Sequence, residues 1–137
     1  MKIRKGFVTN SSSTSFIISL KEEFSKVNFM TAIGANGNSP MNKIFEDLFQ
    51  AIEDDKQNII DVTKEYQEGI KVGDFLQKQG FSQETANKVE QLLAEGREVY
   101  YGRLRSDGET PSETFFCCDS FVLCEDNIYF NGNIGGW

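Results

Sequence analysis

The chain has no histidine. That removes the commonest metal ligand and general base, and with it every His-based triad and His-ligated zinc site. Long apolar runs are missing too; none approaches the ~18 residues of a membrane-spanning helix. Lys2, Arg4 and Lys5 imitate the basic start of a secretory signal, but Gly-Phe-Val-Thr-Asn-Ser-Ser-Ser-Thr-Ser follows, too polar for its apolar core. The expected compartment is therefore the cytoplasm. Cysteine is scarce: Cys117, Cys118 and Cys124 are an odd number crowded into eight positions, not a spaced framework, and read as reduced thiols. On a strand, Cys117 and Cys118 point to opposite faces. A zinc site built from the three thiolates with Asp119 or Asp126 fits that geometry poorly. Positive charge is in short supply, with 14 Lys+Arg against 21 Asp+Glu, a net charge of −7 and a pI near 4.6.

What is present reads as one globular domain spanning residues 1–137, 39% hydrophobic and 26% charged. A chain of this length can bury roughly two-thirds of its unfolded surface, enough for a core without staples. Alternation and β-branched residues predict strands over about 2–9 and 15–20, joined by the polar run Asn10 to Thr14. Residues 21–40 read as a connection, with Asn28 to Met30 as a strand extension and Gly34 to Pro40 as a loop. Ser39 and Pro40 then open a helix whose stripe is Met41, Ile44, Phe45, Leu48, Phe49 and Ile52. Residues 56–70 fit either a short strand at 58–62 or a loop. Two helices, about 71–79 and 83–95, follow as a hairpin around Gly80-Phe81-Ser82. The C-terminal third reads as β: 98–105, 114–123 and 128–130, with a turn-rich end at 131–137.

Charge is unevenly laid out. Residues 1–20 carry Lys2, Arg4 and Lys5 and no acid, for +3; residues 41–96 hold twelve acids and six lysines, for −6; residues 107–137 hold six acids and no base, another −6. An acidic surface of this kind keeps a small protein soluble and can present a nucleic-acid-like face to a partner with a basic groove. Glu46, Asp47, Glu53 and Asp54 on the outer face of the first long helix, with Glu125 and Asp126 in the C-terminal turn, are the candidate partner contacts. Paired carboxylates would serve acid–base or two-metal chemistry only if they converged in a cleft, and here they fall on a solvated helix side or in a turn. No calcium-loop spacing accompanies them.

The run Asn10-Ser11-Ser12-Ser13-Thr14-Ser15 is the most unusual local feature. Hydroxyls and backbone N–H groups in a tight turn can cradle an anion, with Arg4 and Lys5 neutralising it. Asn10, Ser11, Ser12, Ser13 and Ser15 with Arg4 and Lys5 are thus a candidate phosphate or nucleotide site, although no glycine-rich phosphate loop or dinucleotide fingerprint is present. Neither Ser-x-x-Lys nor Gly-x-Ser-x-Gly occurs, so a serine nucleophile lacks its base. The helical hairpin suggests a helix-turn-helix, but its second helix carries Glu84, Lys88, Glu90 and Glu95, and DNA binding depends on neutralising phosphates.

The segment Arg4-Lys-Gly-Phe-Val-Thr-Asn-Ser-Ser-Ser-Thr-Ser-Phe-Ile17 resembles the N-terminus of a set of uncharacterised bacterial and phage proteins with the pattern Arg-x-Gly-Phe-Val-Thr-Asn-Ser-Ser-Ser-x-Ser-Phe. The likeness covers about a tenth of the chain, brings no activity with it, and implies a prokaryotic or phage origin.

These readings combine into an α+β fold: an antiparallel sheet from the N-terminal and C-terminal strands, packed against about three central helices. Phe7, Phe16, Ile18, Ile44, Phe45, Leu48, Phe49, Phe75, Leu92, Leu104, Phe116 and Val122 are the expected core. The expected function is a non-enzymatic acidic protein-interaction module, of the kind a phage or mobile element uses to inhibit a host protein. It needs no cofactor and no metal, and engages neither a membrane nor specific DNA. The alternative is a phosphate- or nucleotide-binding domain built on the serine turn. A metal-dependent hydrolase or nuclease using the carboxylates ranks third.

Overall fold

The computed structural model describes residues 13–35, 42–105, 121–125 and 127–135. Its centre is β1 (Ser13–Leu20), in which Phe16, Ile17 and Ile18 are all fully buried. Three consecutive buried residues require cover on both faces of a strand, because side chains alternate. β1 pairs antiparallel with β3 (Tyr100–Arg105) on one side and β5 (Ile128–Gly135) on the other. The two-residue β2 (Gln57–Asn58) flanks β3, and β4 (Phe121–Glu125) flanks β5, so the order is β2-β3-β1-β5-β4 with every pairing antiparallel.

Helices cover both faces. On one, α1 (Lys26–Ala32) and α2 (Asn42–Asp55) bring Phe29, Met30, Leu48, Phe49 and Ile52 onto Phe16, Ile18, Leu104 and Phe130. On the other, α3 (Ile59–Tyr66), α4 (Val72–Lys78) and α5 (Gln83–Ala94) bring Ile59, Phe75, Leu76, Val89 and Leu92 onto Ile17, Val99, Tyr101 and Tyr129. The fold is α+β, as the sequence implies. The helices number five among the described residues, not three. Two buried polar side chains on the second face find partners in place, whereas Arg97 Nε is buried without one. Ser19 Oγ donates to the Glu98 carbonyl at 2.8 Å, and Asn131 Nδ2 donates to Thr85 Oγ1 at 3.0 Å and to the Tyr129 hydroxyl at 2.9 Å.

Several local expectations are corrected. Asn28 to Met30 do not extend a strand; they lie in α1. Ser25 Oγ accepts from the Asn28 N–H at 3.2 Å, Phe29 and Met30 turn inward, and Gly34 at φ 78° ends the helix. Residues 59–66 form α3 in place of a strand or loop, because Asn58 Oδ1 accepts from the Ile60 N–H at 2.9 Å and starts a helix after two paired residues. Residues 131–135 are not turns: β5 runs on to Gly135, because Ser13 to Ile17 offer a ladder for it. The α2 stripe is as read at Leu48, Phe49 and Ile52, while Ile44 and Phe45 are only half-buried. The hairpin of α4 and α5 stands as read, with Gly80 at φ 100° and Ser82 Oγ accepting from the Thr85 N–H at 3.1 Å. The strand expected at 2–9, the helix cap at Ser39 and Pro40, Met41, and the core candidates Phe7 and Phe116 lie outside the described residues, as do residues 114–120 of the penultimate strand.

Candidate functional site

A cleft opens where α2, β2, α3, α4 and β3 meet. α2 ends at Asp55, and β2 covers only Tyr100 and Tyr101 of β3. Beyond that point the outer edge of β3 lacks a strand partner among the described residues. Asp55 fills part of the gap: its Oδ2 accepts from the Arg103 backbone N–H at 2.7 Å. A carboxylate on an edge-strand N–H satisfies the donor and blocks further strand addition there.

The walls come from five elements. Asp55 and Gln57 stand on one side, Val62, Glu65 and Tyr66 of α3 on another, Phe75 and Gln79 come from the α4 segment, and Tyr101, Gly102 and Arg103 form the floor and far rim. The cavity is about 520 Å³, within the range of small-ligand sites. Its aromatic lining is a chain of edge-on contacts: Tyr66 on Phe75 at 5.2 Å between ring centres, and Phe75 on Tyr101 at 5.4 Å. Tyr66 is 50% exposed, whereas Tyr101 is 6% exposed. The Tyr101 hydroxyl lies 3.5 Å from Ser15 Oγ, long for an O–H···O bond. Glu65 and Arg103 are exposed, and neither forms an ion pair with the other or with Asp55.

The sequence-predicted residues are scattered. Arg4, Lys5, Asn10, Ser11, Ser12 and Asp126 lie outside the described residues. Ser13 is registered between Arg105 and Gly135, and Ser15 between Arg103 and Asn133. Ser15 is only 8% exposed, so its hydroxyl faces Tyr101 and not solvent. The acids of α2 are largely engaged within the molecule. Glu46 pairs with Lys26 at 3.4 Å, Asp47 with Lys43 at 2.9 Å and Glu53 with Lys56 at 3.3 Å, while Asp54 accepts from Gln50 at 2.8 Å. The bond to Asp47 and its charge hold the exposed Lys43 ammonium above its ordinary pKa. Lys56 also sits over the rings of Tyr100 at 4.6 Å and Phe24 at 5.1 Å. Glu125 is exposed on β4, at the opposite edge of the sheet from β2, and is not gathered with the α2 acids.

The cleft residues Glu65, Tyr66, Phe75, Tyr101 and Arg103 carried no sequence signal as a group; the Glu53-Asp54-Asp55 run was the nearest hint. Among the described residues, no group of three or more Cys, Asp or Glu is placed to hold a metal ion, and no helix is long and apolar enough to cross a membrane. Cys124 is a free, exposed thiol. Compared with known proteins, the chain matches no family model, no curated protein and no solved structure.

Proposed function

We propose that this chain is a non-enzymatic binding module that docks a protein partner bearing a basic surface. The observation that carries this reading is the corner between α2 and α3. There the exposed Tyr66 ring stands beside the carboxylates of Asp55 and Glu65 around one cleft. Tyr is one of the residue types that anchor interaction hot spots, and charged groups such as Asp55 and Glu65 belong at the rim around such an anchor. The net charge of −7 adds long-range attraction for a basic partner. The outer acids of α2, Glu46, Asp47, Glu53 and Asp54, contribute less than their number suggests. Three of them already have lysine partners, and exposed pairs of this kind are worth little to a newcomer. Inhibition of a host protein by a phage or mobile-element product is the setting that suits such a module.

The test is capture from bacterial lysate on the immobilised protein at low and at high salt. A partner retained at about 50 mM salt and released near 0.5 M, where the screening length falls from over 10 Å to a few ångströms, is the expected result. If nothing is retained in a salt-sensitive way, the reading fails.

A further inference from the structure

We propose that the cleft between α2, α3 and β3 is a receptor for a single basic side chain, arginine or lysine, presented by the partner polypeptide. The inference rests on the binding-module reading and assigns it a site and a chemistry. Three features of the cleft select a cation with an aliphatic stem. The first is charge: Asp55 and Glu65 face the cavity, and no ion pair within the described residues neutralises either one. Asp55 Oδ2 is held by the Arg103 N–H at 2.7 Å, which fixes the carboxylate at the rim and leaves its second oxygen to accept. The second is the wall: Val62, Phe75 and the exposed Tyr66 supply apolar and aromatic surface for the stem and a ring for the charged head. The third is the fold's own precedent. Lys56 is held by a carboxylate, Glu53, together with the rings of Phe24 and Tyr100. The cleft offers the same combination of acid and ring with no cation of the described chain paired to it.

Arg103 is the opposing element. Exposed Arg103 lines the same cleft, and its charge disfavours an incoming cation. This makes the proposal directional. Removing Arg103's charge strengthens binding of a cation and weakens binding of an anion, and removing the charge of Glu65 does the reverse.

The experiment is an NMR titration of the isotopically labelled full chain with N-acetyl-arginine amide, N-acetyl-lysine amide, the uncharged N-acetyl-citrulline amide and inorganic phosphate. The two cationic probes are expected to shift the amides of Asp55, Glu65, Tyr66, Gly102 and Arg103, with citrulline and phosphate leaving them in place. Glu65→Gln is expected to weaken the arginine probe about three- to fivefold, the scale of a partly exposed ion pair. Tyr66→Ala is expected to do likewise, and Arg103→Gln to tighten it. Both Glu65 and Tyr66 are exposed, so circular dichroism should find these variants folded. Equal shifts with citrulline, shifts confined to the outer α2 acids Glu46, Asp47, Glu53 and Asp54, or binding of phosphate that Arg103→Gln abolishes each overturn the proposal. The lysate capture separates it from the broader reading. Salt-sensitive capture that Glu65→Gln and Tyr66→Ala leave intact overturns the cleft while the module stands. Absence of capture overturns the module, and the titration still decides the cleft.

Discussion

Phe16 is registered opposite a glycine on each neighbouring strand, Gly102 on β3 and Gly132 on β5. Its ring lies over the bare backbone of Gly102, where an added Cβ would stand 2.6 Å from Cζ, 2.8 Å from Cε2 and 3.0 Å from the Asp55 carbonyl. The ring is fully buried and the carbonyl is main chain, so neither yields easily. Gly102→Ala should therefore lower stability by about 1–3 kcal/mol, the usual cost of overpacking. It should also disturb the cleft whose floor Gly102 forms. Urea denaturation measures the first effect; an unchanged midpoint would show that the ring can move aside. Tyr100 offers a second test. Burial first, and next the hydrogen bond it donates to Glu98 at 3.1 Å, hold its phenol above the ordinary value of 10.0. The folded state favours the neutral phenol. That contribution to stability is complete below about pH 10 and is lost as pH climbs through the raised value. Glu98→Gln should bring the Tyr100 titration back toward 10.0, leaving the parts due to burial and to the charge of Glu53, and the Cζ resonance of Tyr100 followed by carbon NMR reports it.

At the scale of elements, α1 illustrates what a sequence hides. Seven residues give too few turns for a periodic stripe, and the two inward side chains, Phe29 and Met30, are adjacent, which reads equally well as β. The helix depends on its ends. Ser25 caps the start, and at the finish the Ala35 N–H reaches back to the Met30 carbonyl at 2.8 Å around Gly34. Ser25→Ala should cost about 1 kcal/mol and increase amide exchange at Asn28 and Phe29 more than in β1; uniform exchange across both would argue that α1 is held by packing alone. The longer elements were legible for the opposite reason. α2 shows its stripe over fourteen residues, and the α4–α5 hairpin is punctuated by Gly80, Ser82 and Gly96. β5 was legible only to Phe130. Asn131, Gly132 and Asn133 have turn chemistry, and the ladder of β1 overrides it, a tertiary effect that no local window contains. The cleft was illegible on the same ground. Asp55, Glu65, Phe75 and Arg103 come from four elements and become neighbours only when β3 returns beside β2.

For the molecule as a whole, the decisive fact is that two cores share one strand. Phe16, Ile18 and Leu20 serve the face covered by α1 and α2, while Ile17 serves the face covered by α3, α4 and α5. The partners of β1 lie far along the chain. Ser13 pairs with Arg105 in β3 and Gly135 in β5. Such distant pairing means that the helices between them have only one another to pack on until the last strands arrive. A chain cut after Arg105 retains, of the elements among the described residues, all five helices and three of the five strands by sequence. It loses Ile128, Tyr129 and Phe130, which are buried on the two faces, and leaves the full length of β1 without its ladder on one side. The expected outcome is collapse of both cores together. The truncated chain should show helix-rich far-ultraviolet circular dichroism with no cooperative thermal transition and no near-ultraviolet aromatic signal. A sharp melt in the truncated protein would mean that the α3–α5 face with β3 stands as a unit by itself. The cleft would then be open to study without the C-terminal strands, since each of its lining residues lies between Asp55 and Arg103.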